Sequence, residues 1–197
     1  MSEPKLTPLE LAAKRNDLET VRFLLEKGAC PDPKRKHYAG LALADALMSE
    51  NYEMVELLLE HGSGINITMR EVGTMNAFAG VCRRGDLELV ELFIRHGADV
   101  NGDLSEDSPL QAALEKNRFE VVKLLFERGL KFNDPLLFSK MICSAIEHCS
   151  DAIDFLIEKY SLNLNSRLDE SFFRSVRYLK QEKIRRDSET KTYDQWW

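Results

Sequence analysis

A short apolar phrase returns along this chain at nearly constant spacing. It opens on a valine, continues with an apolar pair, and closes on a glycine. Val21 leads to Leu24, Leu25 and Gly28, and Val55 leads to Leu58, Leu59 and Gly62. Val90 leads to Phe93, Ile94 and Gly97, and Val122 to Leu125, Phe126 and Gly129. A fifth copy runs from Ile153 through Leu156 and Ile157, with Tyr160 where the glycine should stand. Successive copies are offset by 34, 35, 32 and 31 residues. Apolar positions at i, i+3 and i+4 predict a helix of about ten residues in each copy. The glycine supplies the left-handed conformation that closes it. A period in this range is the signature of stacked supersecondary units.

Each of these helices follows another, shorter one, as in Pro8 to Asn16 and Ser108 to Asn117. Pro8 and Pro109 suit a first helical turn, where a missing N–H costs nothing, and Thr7 and Ser108 are the expected N-caps. A loop carrying an asparagine (Asn66, Asn101, Asn133 or Asn165) closes four of the copies. One helix pair cannot bury its own apolar face, so the pairs must stack and stability must reside in their interfaces.

The phrases TPLELAA (Thr7 to Ala13), SPLQAAL (Ser108 to Leu114), VRFLLEKGA and VELFIRHGADVN (Val90 to Asn101) resemble the ankyrin repeat. The resemblance covers roughly residues 6 to 166 and departs at LALADAL in the second copy, NAFAGVC in the third and the missing proline and glycine of the fifth. It implies an all-α solenoid of five helix-turn-helix repeats, over residues 6–33, 39–67, 74–102, 107–134 and 137–166. Beyond them, residues 167–187 read as one helix with an apolar stripe of Phe172, Phe173, Val176 and Leu179, suited to cap the array, and 188–197 as a tail ending in Trp196 and Trp197.

Composition adds little to the fold but narrows the function. The chain of 197 residues is 44% hydrophobic and 30% charged, the profile of a folded protein. Its N-terminus is polar, without the apolar core of a signal peptide, so a cytoplasmic location is expected. No apolar stretch approaches the ~20 residues that span a bilayer. Net charge is −6, with a basic segment from Arg167 to Arg186 set against acidic repeats. That balance disfavours nucleic acid as the partner. Cys30, Cys82, Cys143 and Cys149 follow no regular spacing and are expected as reduced, mostly buried thiols.

Candidate chemistry is sparse. Cys143, His148 and Cys149 would point in three directions from one helix, so no converging metal site is expected. His61 and His96 precede helix-ending glycines, where they complement the helix C-terminus, and His37 stands alone in a basic loop. Phosphate-binding, nucleophile-elbow and zinc-protease motifs are absent from the sequence. The chain is expected to be no enzyme and to need no cofactor.

The ankyrin resemblance implies a concave groove, lined by first helices and loop tips, that binds protein. In register, its helix positions are Lys14 and Arg15, Met48 and Ser49, Arg83 and Arg84, Glu115 and Lys116, and then Glu147. Its loop-tip positions are His37, Tyr38, Val72, Met75, Leu104, Asp107, Leu136 and Phe138. Tyr38, Met75, Leu104 and Phe138 are large apolar groups where solvent is expected, as interface anchors are. Lys14, Arg15, Arg83, Arg84 and Lys116 form a basic ladder suited to an acidic peptide or helix. The expected function is non-catalytic recognition of a protein by a monomer. The alternatives are a microbial effector in a host cytosol and the recognition part of a longer enzyme or scaffold.

Overall fold

In four repeats the first helix is short, seven or eight residues, because the residue after its last turn reverses the chain. Asn16, Glu50, Gly85 and Asn117 occupy the same place in four repeats, and all are left-handed, with φ of +56°, +55°, +86° and +55°. The computed structural model describes residues 6–33, 41–65, 77–101, 108–131, 135–163, 176, 178 and 180–185. Its first helices are α1 (Pro8–Lys14), α3 (Leu41–Met48), α5 (Ala77–Arg84), α7 (Pro109–Glu115) and α9 (Pro135–His148). The second helices are α2 (Leu18–Glu26), α4 (Tyr52–Glu60), α6 (Leu87–Arg95), α8 (Phe119–Glu127) and α10 (Ala152–Asn163). Among the described residues all regular structure is helical.

The expected caps are in place. Thr7 Oγ1 accepts from the Glu10 amide at 3.2 Å while the Glu10 carboxylate accepts from the Thr7 amide at 2.6 Å, a reciprocal capping box. Ser108 Oγ accepts from the Gln111 amide at 3.2 Å. Second helices end as the glycines predict: at Gly28, with φ +84°, the Gly28 amide bonds to Leu25 and the Ala29 amide to Leu24. In the fifth repeat no glycine intervenes, and α10 runs on through Tyr160 to Asn163.

The chain divides into two compact units, one of Met1–Val81 with Asp86–Asp99, the other of Cys82–Gly85 with Val100–Trp197. In the first, α1 packs along α3 and α2 against α4, and the Phe78 and Phe93 rings stack at 6.1 Å. Val21, Leu43, Val55, Leu58 and Val90 are fully buried there. In the second, α7 packs along α9, with Val122, Leu125, Ile153 and Leu156 as the matching core. Val176, Tyr178 and residues 180–185 are helical. Val176 is buried, Lys180 Nζ pairs with Asp154 at 2.5 Å, and Lys183 Nζ donates to the Glu147 carbonyl, so this helix lies against α9 and α10.

Two expectations are corrected here. Leu136 and Phe138 are not at a loop tip: α9 begins at Pro135, so both are helical. Phe138 is wholly buried, on a stripe continued by Met141, Ile142, Ala145 and Cys149. That stripe has the 3.6-residue period of a core face, which outweighs the register borrowed from shorter first helices. The cysteines are also less buried than expected: Cys82 and Cys149 are buried, Cys30 and Cys143 exposed.

Candidate functional site

Because α1, α3, α5 and α7 each end at a left-handed residue, the two side chains before that residue project from the helix end. Lys14 and Arg15 are exposed at the end of α1. Met48 at the end of α3 is 58% exposed, a large apolar group standing in solvent. Ser49 beside it turns back, its Oγ donating to the Asp45 carbonyl at 2.8 Å. Lys116 is exposed and Arg84 half-buried. His37, Tyr38, Val72, Met75, Leu104 and Asp107 lie outside the described residues.

Arg83 departs from the expected basic ladder. Its guanidinium is in an ion pair with Glu115 of the next repeat, both side chains about two-thirds buried. Glu115 also accepts from Gln111 Nε2 at 2.9 Å, which is 3.1 Å from Ser144 Oγ. The result is a polar chain from α5 through α7 to α9. The charge of Arg83 is thus spent on holding repeats together, which the repeat register alone did not reveal. The pairing could have been sought in sequence, since Arg83 and Glu115 stand at equivalent positions one repeat apart.

Two sets of inter-repeat contacts sharpen the site's frame. Asp17, Asn51 and Asp86 are N-caps of α2, α4 and α6, accepting from the amides of Thr20, Met54 and Leu89. Asn51 also donates from Nδ2 to Asn16 Oδ1 at 2.8 Å, joining the first and second repeats. The fourth repeat has Arg118 in the same position, with no side-chain cap; its Nε donates to the Arg83 carbonyl at 3.3 Å. In the loops, Asp32 stands where the later copies carry asparagine. Its carboxylate accepts from the Gly64 amide and lies 3.3 Å from Ser63 Oγ. Asn101 does the same between the third and fourth repeats, accepting from the Lys131 amide at 3.0 Å.

The titratable groups serve structure. Hydrogen bonds from the Thr20 side chain and amide hold the Asp17 carboxyl below its ordinary value. Burial pushes the Cys82 and Cys149 thiols up, so both stay protonated and poorly nucleophilic at neutral pH. His61 Nδ1 lies 2.9 Å from the Leu57 carbonyl, so its proton caps the end of α4. Cys143 is exposed while Cys149 is buried, and among the described residues no group of three His, Cys, Asp or Glu is placed to hold a metal ion. Among them, too, no helix is long and apolar enough to cross a membrane.

Comparison with known proteins agrees with this geometry. A family model described as ankyrin repeats in three copies matches residues 1–71 and again 69–136. An ankyrin repeat protein of Rickettsia felis is 32% identical over 157 residues, which is 80% of this chain. The chain spans 38% of that relative's length. Ankyrin repeats are generally modules of protein–protein interaction and generally non-catalytic. With its period, its helix pairs and its glycine-closed second helices, this chain belongs to the ankyrin repeat family.

Proposed function

We propose that this chain is a non-catalytic recognition module that binds a protein partner through the ends of its first helices and the loops between repeats. The observation that carries this reading is the set of side chains that the fold leaves unused there. Lys14, Arg15 and Lys116 are exposed cations at their helix ends, and Met48 is an exposed apolar group at the end of α3. Charged rims orient a partner while a few apolar anchors hold it. The partner that fits is an acidic peptide or helix with an apolar side chain for Met48. Arg83 contributes position instead of charge, because Glu115 neutralises it. Tyr38, Met75, His37, Val72, Leu104, Asp107 and Arg84 remain in the proposed surface; Phe138, being buried, does not. We place the protein in the cytoplasm, acting as a monomer.

The test is affinity capture followed by quantitative binding. A variant carrying Lys14→Glu, Met48→Glu and Lys116→Glu alters only exposed positions, so circular dichroism should match the wild type. A partner retained by the wild type and lost by this folded variant supports the reading. A partner bound equally by both moves the binding site elsewhere on the chain.

A further inference from the structure

The ends of α1 and α3 present a cation and an apolar group at a spacing that the fold fixes. Lys14 and Met48 stand in the same place, each two residues before a left-handed residue, Asn16 and Glu50. Asn51 Nδ2 donates to Asn16 Oδ1 at 2.8 Å, which ties the two corners together. Behind them α1 packs along α3, and both helices bury alanines, Ala12 and Ala13 in one and Ala42 and Ala46 in the other. Side chains that small hold the helix axes near the short end of the usual range of about 8–10 Å. The exposure is a property of the position: Met48 and Ser49 in the second repeat and Lys116 in the fourth are exposed at the same place. Among the described residues Lys14 pairs with no carboxylate, and Asn16 uses only its side-chain oxygen, so its Nδ2 amide stays open at an exposed corner. Asp17, the acid next in sequence, has both carboxylate oxygens engaged by Thr20. On the other helix Asp45 and Glu50 bracket Met48 in sequence, so an anion is favoured at the α1 corner and disfavoured at the α3 corner.

We infer that these two corners take an extended segment of a partner protein in the polyproline II conformation, with an acidic and an apolar residue three positions apart. This rests on the first-helix ends being the recognition surface. Polyproline II turns once in three residues and rises about 3.1 Å per residue, so side chains at i and i+3 share a face about 9 Å apart. That matches neighbouring first helices. A β-strand puts same-face side chains about 7 or 13 Å apart, short of the spacing or beyond it. An α-helix offers about 6 Å at i+4 or 10.5 Å at i+7, and its carbonyls are bonded within the helix. A polyproline II backbone leaves its carbonyls open, and one of them accepts from Asn16 Nδ2. The acidic side chain meets Lys14 and Arg15, and the apolar one lies on Met48, whose unbranched thioether adapts to its shape.

The probe is a peptide with a central glutamate, a leucine three residues away on each side, and prolines between, so that it offers the spacing in either chain direction. It is titrated into the isotope-labelled full chain and followed by amide chemical shifts. Saturable shifts at Lys14, Arg15, Asn16 and Met48 are expected. Lys14→Glu and Met48→Glu change exposed side chains, so each should leave the circular dichroism spectrum intact while weakening binding by about tenfold or more. Shortening each proline pair to a single proline should weaken it as much. Absence of saturable shifts overturns the inference, as do shifts confined to other parts of the chain or equal binding of the shortened peptide. A stapled helix with glutamate and leucine seven residues apart separates this inference from the surface it rests on. Saturation of the same amides by the helix and not by the extended peptide refutes the polyproline II segment and leaves the helix-end surface standing.

Discussion

The side chain of Arg118 lies across Gly85, so that a β-carbon at the glycine would run into its Cδ and Nε. Gly85 is thus required twice, by its φ of +86° and by this approach. Asn16, Glu50 and Asn117 meet only the first requirement, which explains why a residue with a side chain serves at their positions.

Gly85→Ala should destabilise the protein by about 1–2 kcal/mol from the left-handed backbone alone, with a further loss from the clash. In an Arg118→Ala background the clash disappears and only the backbone part remains. Urea unfolding of the two single variants and the double variant measures the difference as a coupling energy. Equal costs of Gly85→Ala in both backgrounds would show that the arginine simply moves aside.

Asp32 and Asn101 make the same bond at two different interfaces, to the amides of Gly64 and Lys131. Asp32→Ala and Asn101→Ala should each cost about 1 kcal/mol, the usual net worth of one hydrogen bond near solvent. Asp32→Asn, which keeps an acceptor, should lose less. Faster hydrogen exchange of the Gly64 amide in Asp32→Ala is the direct check. Unchanged protection there would mean that the carboxylate is incidental.

Much of this was legible in the sequence. Period, helix pairs, caps at Thr7 and Ser108 and the closing glycines follow from local rules, because each depends on a few neighbouring residues. What depended on side chains meeting across repeats was harder. Arg83 read as a free cation because its partner Glu115 lies 32 residues away and has its own claim on the surface. Asp32 escaped notice because the asparagines of later copies defined the loop pattern. Phe138 was misplaced because the short first helices of other repeats set the register, while its own stripe, with Met141, Ile142 and Ala145, argued for a longer helix.

The reassignment of Phe138 has a measurable consequence. Phe138→Ala should cost about 3–5 kcal/mol, as a fully buried phenylalanine does. Met48→Ala should stay within about 0.5 kcal/mol of wild type, being a surface change. Thermal unfolding of the two variants separates them. A small effect at Phe138 would return it to the surface and make it available again as an anchor.

Asp17 links the first repeat to pH. Its carboxylate accepts from the Thr20 amide at 3.0 Å and from the Thr20 hydroxyl at 2.6 Å, and these bonds depress its pKa. A group whose folded pKa lies below its unfolded one stabilises the fold above the unfolded value, and that stabilisation is lost as pH falls through the folded value. The loss therefore falls on the acid side of the ordinary carboxylate range, with neutral pH unaffected. Asp17→Asn keeps a cap acceptor but has no proton to bind. Its unfolding midpoint should fall less steeply than that of the wild type through this acid window, while Thr20→Val, which removes the hydroxyl donor, should shrink the wild-type dependence without abolishing it. Identical acid profiles for Asp17→Asn and the wild type would mean that the acid sensitivity of the chain arises from other carboxylates.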